Sequence, residues 1–244
     1  MTLNQITRLI ERLKNNRQIQ YQMSLVRYYN LLMFQNSSTS LEIIGEDVGI
    51  TDFLTNSAEV GLTTEELNTY ITLLGTILVL KSNITTLSQL PPGTRFTNLE
   101  TLDVNNCTNI SQIPTSYNNG LLTLKVSSTK VSSIPPVFSS IKTLETNNCK
   151  RLASIGITSL ETLVTSHSSV TELTDLNSLV RLVCLTSKLT NIPTAPNLVV
   201  VTWSGVSSST LTVDSSNSNI CQILTTGPIS NITSPNGVIT SIVF

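Results

Sequence analysis

Few side chains in this sequence are suited to nucleophilic or metal chemistry, and their spacing argues against both. His167 is the only histidine, so a Ser/His/Asp triad or a histidine-based metal site would depend on it alone. The four cysteines, Cys107, Cys149, Cys184 and Cys221, form no C-x-x-C pair. The sequence also lacks both G-x-x-x-x-G-K-[ST] and G-x-G-x-x-G. We therefore predict a non-enzymatic protein without catalytic residues, metal or cofactor.

Composition and charge exclude further classes of function. The chain has 244 residues, of which 12% are charged, and its net charge is −1. A nucleic-acid-binding surface needs a basic excess, which is absent. The longest nearly apolar run, residues 71–80, is too short to span a bilayer, and no charged segment followed by an apolar core opens the chain. We predict no membrane span and no signal peptide.

A repeated pattern of aliphatic residues in the middle of the chain predicts the strands that position the other side chains. One copy runs from Leu99 through Leu102 to Val104, and another from Leu121 through Leu124 to Val126. The pattern begins again at Leu74, Leu99, Leu121, Ile141, Leu160, Leu179 and Leu198. A period near 20 residues with this spacing is typical of a solenoid built from stacked turns.

On these residues the chain resembles leucine-rich-repeat proteins, with short, irregular repeats similar to those of bacterial and viral members. The resemblance implies an α/β solenoid with a concave parallel β-sheet. Because 19–22 residues leave little room for a helix, we expect few or no convex helices. We predict a helical N-terminal cap over residues 1–73, the solenoid over residues 74–210 and an irregular β-type C-terminal cap over residues 211–244.

Alternation along each strand predicts which side chains face the core. Leu102 and Val104 should point inward, and Asp103 outward. Counted from Leu74, the same pattern places Leu78 and Leu80 outward on the first strand, where the helical cap would cover them. The position that is Asn or Cys in the family carries Cys107, Thr129, Cys149 and Ser168, small groups that can still bond to backbone in the turn. Trp203, the only tryptophan, is expected to plug the C-terminal end.

The outward positions predict a partner-binding surface towards the C-terminal end. Asp103, Lys125 and Glu145 alternate in charge and are expected to form a self-paired ladder. The remaining outward residues of interest form an apolar group around one cation: Val164, Arg181, Val183, Leu185 and Val200. Apolar patches rimmed by polar residues tend to mark interfaces. The alternative is that the C-terminal segment folds over this group.

The N-terminal segment is charge-segregated. Apolar spacing predicts helices to about residue 36, carrying a basic set of Arg8, Arg12, Lys14, Arg17 and Arg27. Residues 28–80 contain no Lys or Arg but several acids. The two segments could face each other or be solvated, or the basic helix could dock on an acidic partner. A second helix is expected from Thr63, where Thr63 and Glu66 fit a capping box.

Two functions fit these predictions. The first is a structural or assembly protein, comparable in composition with minor coat or cement proteins of large virus particles, in which neighbouring subunits are the partners. The alternative is a soluble recognition module, such as a pathogen effector or receptor-like binder that uses the concave face. Either protein would bind other proteins, and we expect it in the cytoplasm or in a virion.

Overall fold

A computed structural model describes most of the chain between residues 33 and 243. The described residues are 33–35, 39–43, 68, 71–72, 74–173, 176–189, 191–192, 195–205, 211–213, 219–220, 222–225, 232–233 and 242–243. They fall into two compact units, residues 1–121 and residues 122–244.

The main sheet of the first unit is built on buried leucines that pair across short parallel strands. Its strands are β1 (Met33–Gln35), β2 (Ser40–Ile43), β3 (Val79–Lys81) and β4 (Thr101–Asp103). β1 pairs with β2 in antiparallel orientation, whereas β2, β3 and β4 are parallel. The register aligns Leu41, Leu80 and Leu102, all of them buried. Each turn therefore contributes one leucine to the same line of the core.

The helical N-terminal cap is not confirmed as a whole: its first helical stretch ends in a strand at Met33–Gln35, whereas helical backbone occurs within the second helix expected from Thr63. Met33–Gln35 and Ser40–Ile43 are strands, because Leu41 and Ile43 alternate with less buried neighbours and bury against the next strand. Helical backbone is present at residues 68, 71–72 and 74–75, directly before β3. The basic set and the capping box at Thr63 and Glu66 lie outside the described residues.

The predicted register of the first repeat is also wrong. Leu80 pairs with Leu102 and is fully buried, while Val79 pairs with Thr101 and is half-buried. The repeat therefore starts from Ile77 rather than Leu74. A shift by an odd number of residues exchanges the two faces of a strand, so Leu80 belongs to the core and needs no covering cap.

Short 3₁₀ turns form the corners of the first unit opposite the sheet. They span Gly93–Arg95 and Thr115–Tyr117, and each follows a proline, whose fixed backbone suits the start of a turn. The rings of Phe96 and Tyr117 stack with centroids 6.2 Å apart. Gly93 is required here, because a Cβ atom on it would lie 2.6 Å from the backbone of Ser116.

The second unit continues the same principle with seven parallel strands in its main sheet. These strands are β5 (Thr123–Lys125), β6 (Thr143–Glu145), β8 (Thr162–Val164), β10 (Arg181–Ser187), β12 (Val200–Gly205), β14 (Gln222–Thr225) and β16 (Ile242–Val243). The register aligns one aliphatic residue per strand: Leu124, Leu144, Leu163, Leu182, Val201, Ile223 and Ile242. The parallel ladder thus extends past residue 210, and Trp203 does not plug an end: it is only 1% exposed and pairs with Thr225 on β14.

The opposite side of the second unit is also made of short strands. β7 (Ser154–Ile155) pairs with β9 (Glu172–Leu173), and β11 (Asn191–Ile192) with β13 (Leu211–Val213), which pairs with β15 (Ile232–Thr233). All of these pairs are parallel. No α-helix occurs among the described residues after residue 75, which agrees with the prediction of few or no convex helices.

Small polar groups inside the second unit satisfy the backbone where the repeats turn. Thr129 Oγ1 donates to the carbonyl of Val126 at 2.7 Å, and Ser168 Oγ donates to that of Thr165 at 2.8 Å. Cys149 Sγ also donates to Val126 O, at 3.0 Å. Hydroxyls and thiols therefore do bond to backbone in the predicted position, although no asparagine is present there. A buried carbonyl left unbonded would cost about 1–3 kcal/mol.

Candidate protein-binding face

The outward face of the second unit's main sheet is polar on its first strands. On β5 and β6, here called the polar strands, the outward residues are Thr123, Lys125, Ser127, Thr143, Glu145 and Asn147. Lys125 Nζ lies 3.2 Å from Glu145 Oε1, which confirms this part of the predicted charge ladder. Asp103 belongs to the first unit, where its carboxylate accepts the N–H of Asn105 at 3.2 Å.

A second ladder on this face was missed by the sequence reasoning. Asn147 N–H donates to Ser127 Oγ at 3.1 Å, and Ser166 N–H donates to Asn147 Oδ1 at 2.9 Å. Leu185 N–H then donates to Ser166 Oγ at 3.0 Å. Each side chain thus extends the sheet beyond the three-residue strands. The sequence signal for this ladder is a Ser or Asn that recurs at the same position of successive repeats.

This ladder ends at Leu185, where the strands change. Leu185 has no side-chain oxygen, and the register between β10 and β12 shifts between Cys184 and Ser187. Thr186 adopts a positive φ of 50° and donates its N–H to Ser204 Oγ at 2.8 Å. β10 and β12 are seven and six residues long, against three for β5, β6 and β8. The side-chain acceptor here, Ser204 Oγ, therefore lies in the following repeat, whereas Leu185 N–H donates to Ser166 Oγ of the preceding repeat.

The predicted binding residues lie together on the outward face of β8, β10 and β12, here called the apolar strands. Val183 pairs with Val164, and Arg181 pairs with Val200, on directly neighbouring strands. The four apolar members are half-buried and Arg181 is exposed. We call the predicted set (Val164, Arg181, Val183, Leu185 and Val200) the valine patch.

The patch is wider than the sequence indicated. Val180 is 42% exposed and Val199 is half-buried, and these residues directly precede Arg181 and Val200. Val199 N–H and Val200 N–H both donate to Val180 O, so the two valines lie at the same end of adjoining strands. Leu224 on β14 is half-buried and follows Val183 and Thr202 in the same line. Leu122, which holds the corresponding place before β5, is 40% exposed, so an apolar residue at this position is not confined to the apolar strands.

The described C-terminal residues do not cover this face. Gln222–Thr225 and Ile242–Val243 continue the main sheet in its own plane. Leu211–Val213 and Ile232–Thr233 belong to the sheet on the opposite side of the unit. Most of residues 206–244 lies outside the described residues, so the alternative in which the C-terminal segment folds over the patch stays a prediction.

Arg181 is the charge at the centre of the apolar strands, and no described carboxylate pairs with it. The described acidic side chains of the second unit are Glu145 and Glu161, and each is held by a lysine. Lys142 Nζ lies 2.9 Å from Glu161 Oε1. The outward residues paired with Arg181 are Thr162 and Val200, which are uncharged.

The residues suited to chemistry do not form a site within the described part of the chain. His167 is exposed in a turn with φ of 54°, as the serine-rich stretch predicted, and Cys107, Cys149 and Cys184 are buried free thiols. Burial raises the pKa of all three thiols, most strongly that of Cys184, which disfavours the reactive thiolate. No group of three metal-ligating side chains occurs among the described residues, and no described helix is long and apolar enough to cross a membrane.

Comparison with known proteins does not assign this chain to a family. No family model matches the chain, and no curated protein matches it at a significant level. Among solved structures, a leucine-rich-repeat protein of Leptospira interrogans is similar over 75% of this chain, with 17% identity and a TM-score of 0.49. The chain spans 47% of the length of that protein. The repeat of buried leucines on parallel strands, seen in both units, makes this chain a leucine-rich-repeat-like β-solenoid.

Proposed function

We propose that the chain is a non-enzymatic protein-binding module and that the valine patch is its binding face. The observation that carries this proposal is the contrast along one sheet. The polar strands satisfy their outward charges and amides internally, whereas the apolar strands carry half-buried aliphatic side chains beside the exposed cation Arg181. Exposed apolar groups rimmed by polar residues are typical of interfaces.

The composition of the patch also suits a protein partner. Interface cores are depleted in charged residues, and arginine is enriched where a few residues supply most of the binding energy. The neighbouring half-buried threonines, Thr162 and Thr202, provide a polar rim. The face is a parallel sheet held by buried leucines, so little ordering would accompany binding.

The test compares Val183→Ser/Leu185→Ser with Val137→Ser, which removes an apolar side chain that is 41% exposed outside the patch. Both variants should keep the fold, because none of the three side chains lies in the core. A partner isolated with the wild type from the source cells would be purified and titrated against all three proteins. We expect the double variant to lose at least about tenfold in affinity, a cost of about 1.4 kcal/mol, and Val137→Ser to bind as the wild type does. Equal binding by all three would contradict the proposal.

Assembly and recognition remain two forms of this function. A structural component of a large particle, such as a minor coat or cement-like protein, should self-associate or co-purify with that particle. A recognition module should be a monomer in sedimentation velocity and bind one partner in solution. A stable monomer absent from any particle would exclude the assembly form.

A further inference from the structure

We propose that the partner of the valine patch is an acidic, apolar polypeptide segment that places a carboxylate on Arg181 and an apolar side chain over Val164 and Val183. This inference rests on the proposed function, since it names the chemistry of the partner that the same face binds.

A partner that binds the valine patch must also bury Arg181, and this burial costs free energy. A partner that covers the valines also removes water from the guanidinium, because Arg181 and Val183 lie on the same face of β10, two residues apart. An arginine buried without a counter-charge is strongly unfavourable. A bidentate carboxylate is the acceptor that matches its planar fork.

The chain itself does not supply that acceptor among its described residues. Glu145 is held by Lys125, and Glu161 by Lys142. Thr162 and Val200, which flank Arg181 across the strands, carry no charge. Because no described carboxylate is left for Arg181, we assign the carboxylate to the partner, and a partner with a lysine or arginine at this point would be repelled.

The spacing of the two contacts limits the partner further. Residues two apart on a strand are separated by about 7 Å. Side chains at i and i+2 of an extended segment span that distance, and those at i and i+4 of a helix come close to it. The apolar contact is fixed by Val164 and Val183, which pair directly on β8 and β10.

The experiment pans a random peptide display library against the purified full-length protein and measures affinities of enriched peptides by fluorescence anisotropy. The expected peptides carry Asp or Glu and an apolar residue at one of these two spacings. Arg181→Glu should weaken them at least about tenfold and should select peptides with Lys or Arg when it is panned itself. The matched control is Lys188→Glu, an equal change of charge at an exposed residue just after β10, which should alter affinity less than twofold.

The outcomes separate this inference from the proposed function. Peptides that lose affinity in Val183→Ser/Leu185→Ser but carry no acid, or that bind Arg181→Glu equally well, would overturn the inference and leave the binding face intact. An equal loss in Lys188→Glu would show general electrostatic attraction and would also overturn it. If no enriched peptide depends on Val183 and Leu185, both proposals fail. Circular dichroism of each variant confirms that it is folded.

Discussion

The polar strands and the apolar strands of the second unit share one interior and differ in their outward chemistry. Leu144 on β6 and Leu182 on β10 occupy the same line of the core and are both fully buried. Outward, β6 carries Glu145 in an ion pair, whereas β10 carries Val183 without a polar contact. The inward leucines therefore determine the fold in both regions, and the outward residues can differ without changing it.

A second difference concerns how each region satisfies its backbone. The polar strands rely on Ser127 and Asn147, which accept the N–H groups of the next turn. The region around β10 and β12 uses longer strands and a register shift between Cys184 and Ser187. The positive φ at Thr186 recurs at Ser128, Asn148 and His167 in the preceding repeats, so it belongs to the repeat and does not distinguish this face.

The largest expected effect on the free energy of unfolding concerns the buried leucines that both regions share. We expect Leu144→Ala and Leu182→Ala each to lower the free energy of unfolding by about 2–5 kcal/mol, because each removes a fully buried side chain. The two losses should agree within about 1 kcal/mol. Urea unfolding followed by fluorescence of Trp203, the only tryptophan, reports the second unit directly. A clearly larger loss at Leu182 would show that the apolar surface contributes to folding.

A smaller effect on the free energy of unfolding is expected at alkaline pH, where the buried thiols of Cys149 and Cys184 should behave differently. Burial raises the pKa of Cys184, while the raised pKa of Cys149 is partly lowered again by hydrogen bonds with Thr129 and Ser128. A thiol with a raised pKa stabilises the fold below the unfolded pKa of 9.0 and loses that contribution as pH rises above it. Above pH 9 the wild type should therefore lose about 1.4 kcal/mol per pH unit relative to Cys184→Ala.

The difference in unfolding free energy between the wild type and Cys149→Ala should stop changing at a lower pH. The reason is that the pKa of Cys149 in the folded protein is raised less than that of Cys184. Unfolding free energies from pH 7 to 11 provide the measurement, and the difference between each variant and the wild type removes the contributions of other titrating groups. A constant difference for Cys184→Ala across this range would contradict its burial as a neutral thiol.

The smallest effect is expected at the ion pair of the polar strands. Lys125 and Glu145 retain 32% and 26% of their side-chain exposure, so solvent screens their attraction. Glu145→Gln should cost at most about 1 kcal/mol and less at 1 M salt. It should leave the affinity of partners of the valine patch unchanged. A tenfold loss of binding would extend the binding face onto the polar strands.

Sequence reasoning succeeded where one residue type recurs at one position. Leu102 and Leu144 were identifiable as core residues because a strand of alternating faces allows no other arrangement of the repeat. It failed at Leu80, where Leu74 and Ile77 both offer a plausible start and the choice reverses the faces. It also failed at Met33–Gln35, where pairing with a neighbouring strand outweighs local helical spacing.

The solenoid, its short turns and the shared face of the five patch residues could be read from the sequence, since these follow from periodic residues whose environment repeats at every turn. The residues that satisfy the backbone could not be read in this way. The links from Ser127 to Asn147 and from Asn147 to Ser166 join residues about 20 apart in the chain, so they exist only once the strands are aligned. The same alignment placed Trp203 inside the unit and Arg181 beside Val200.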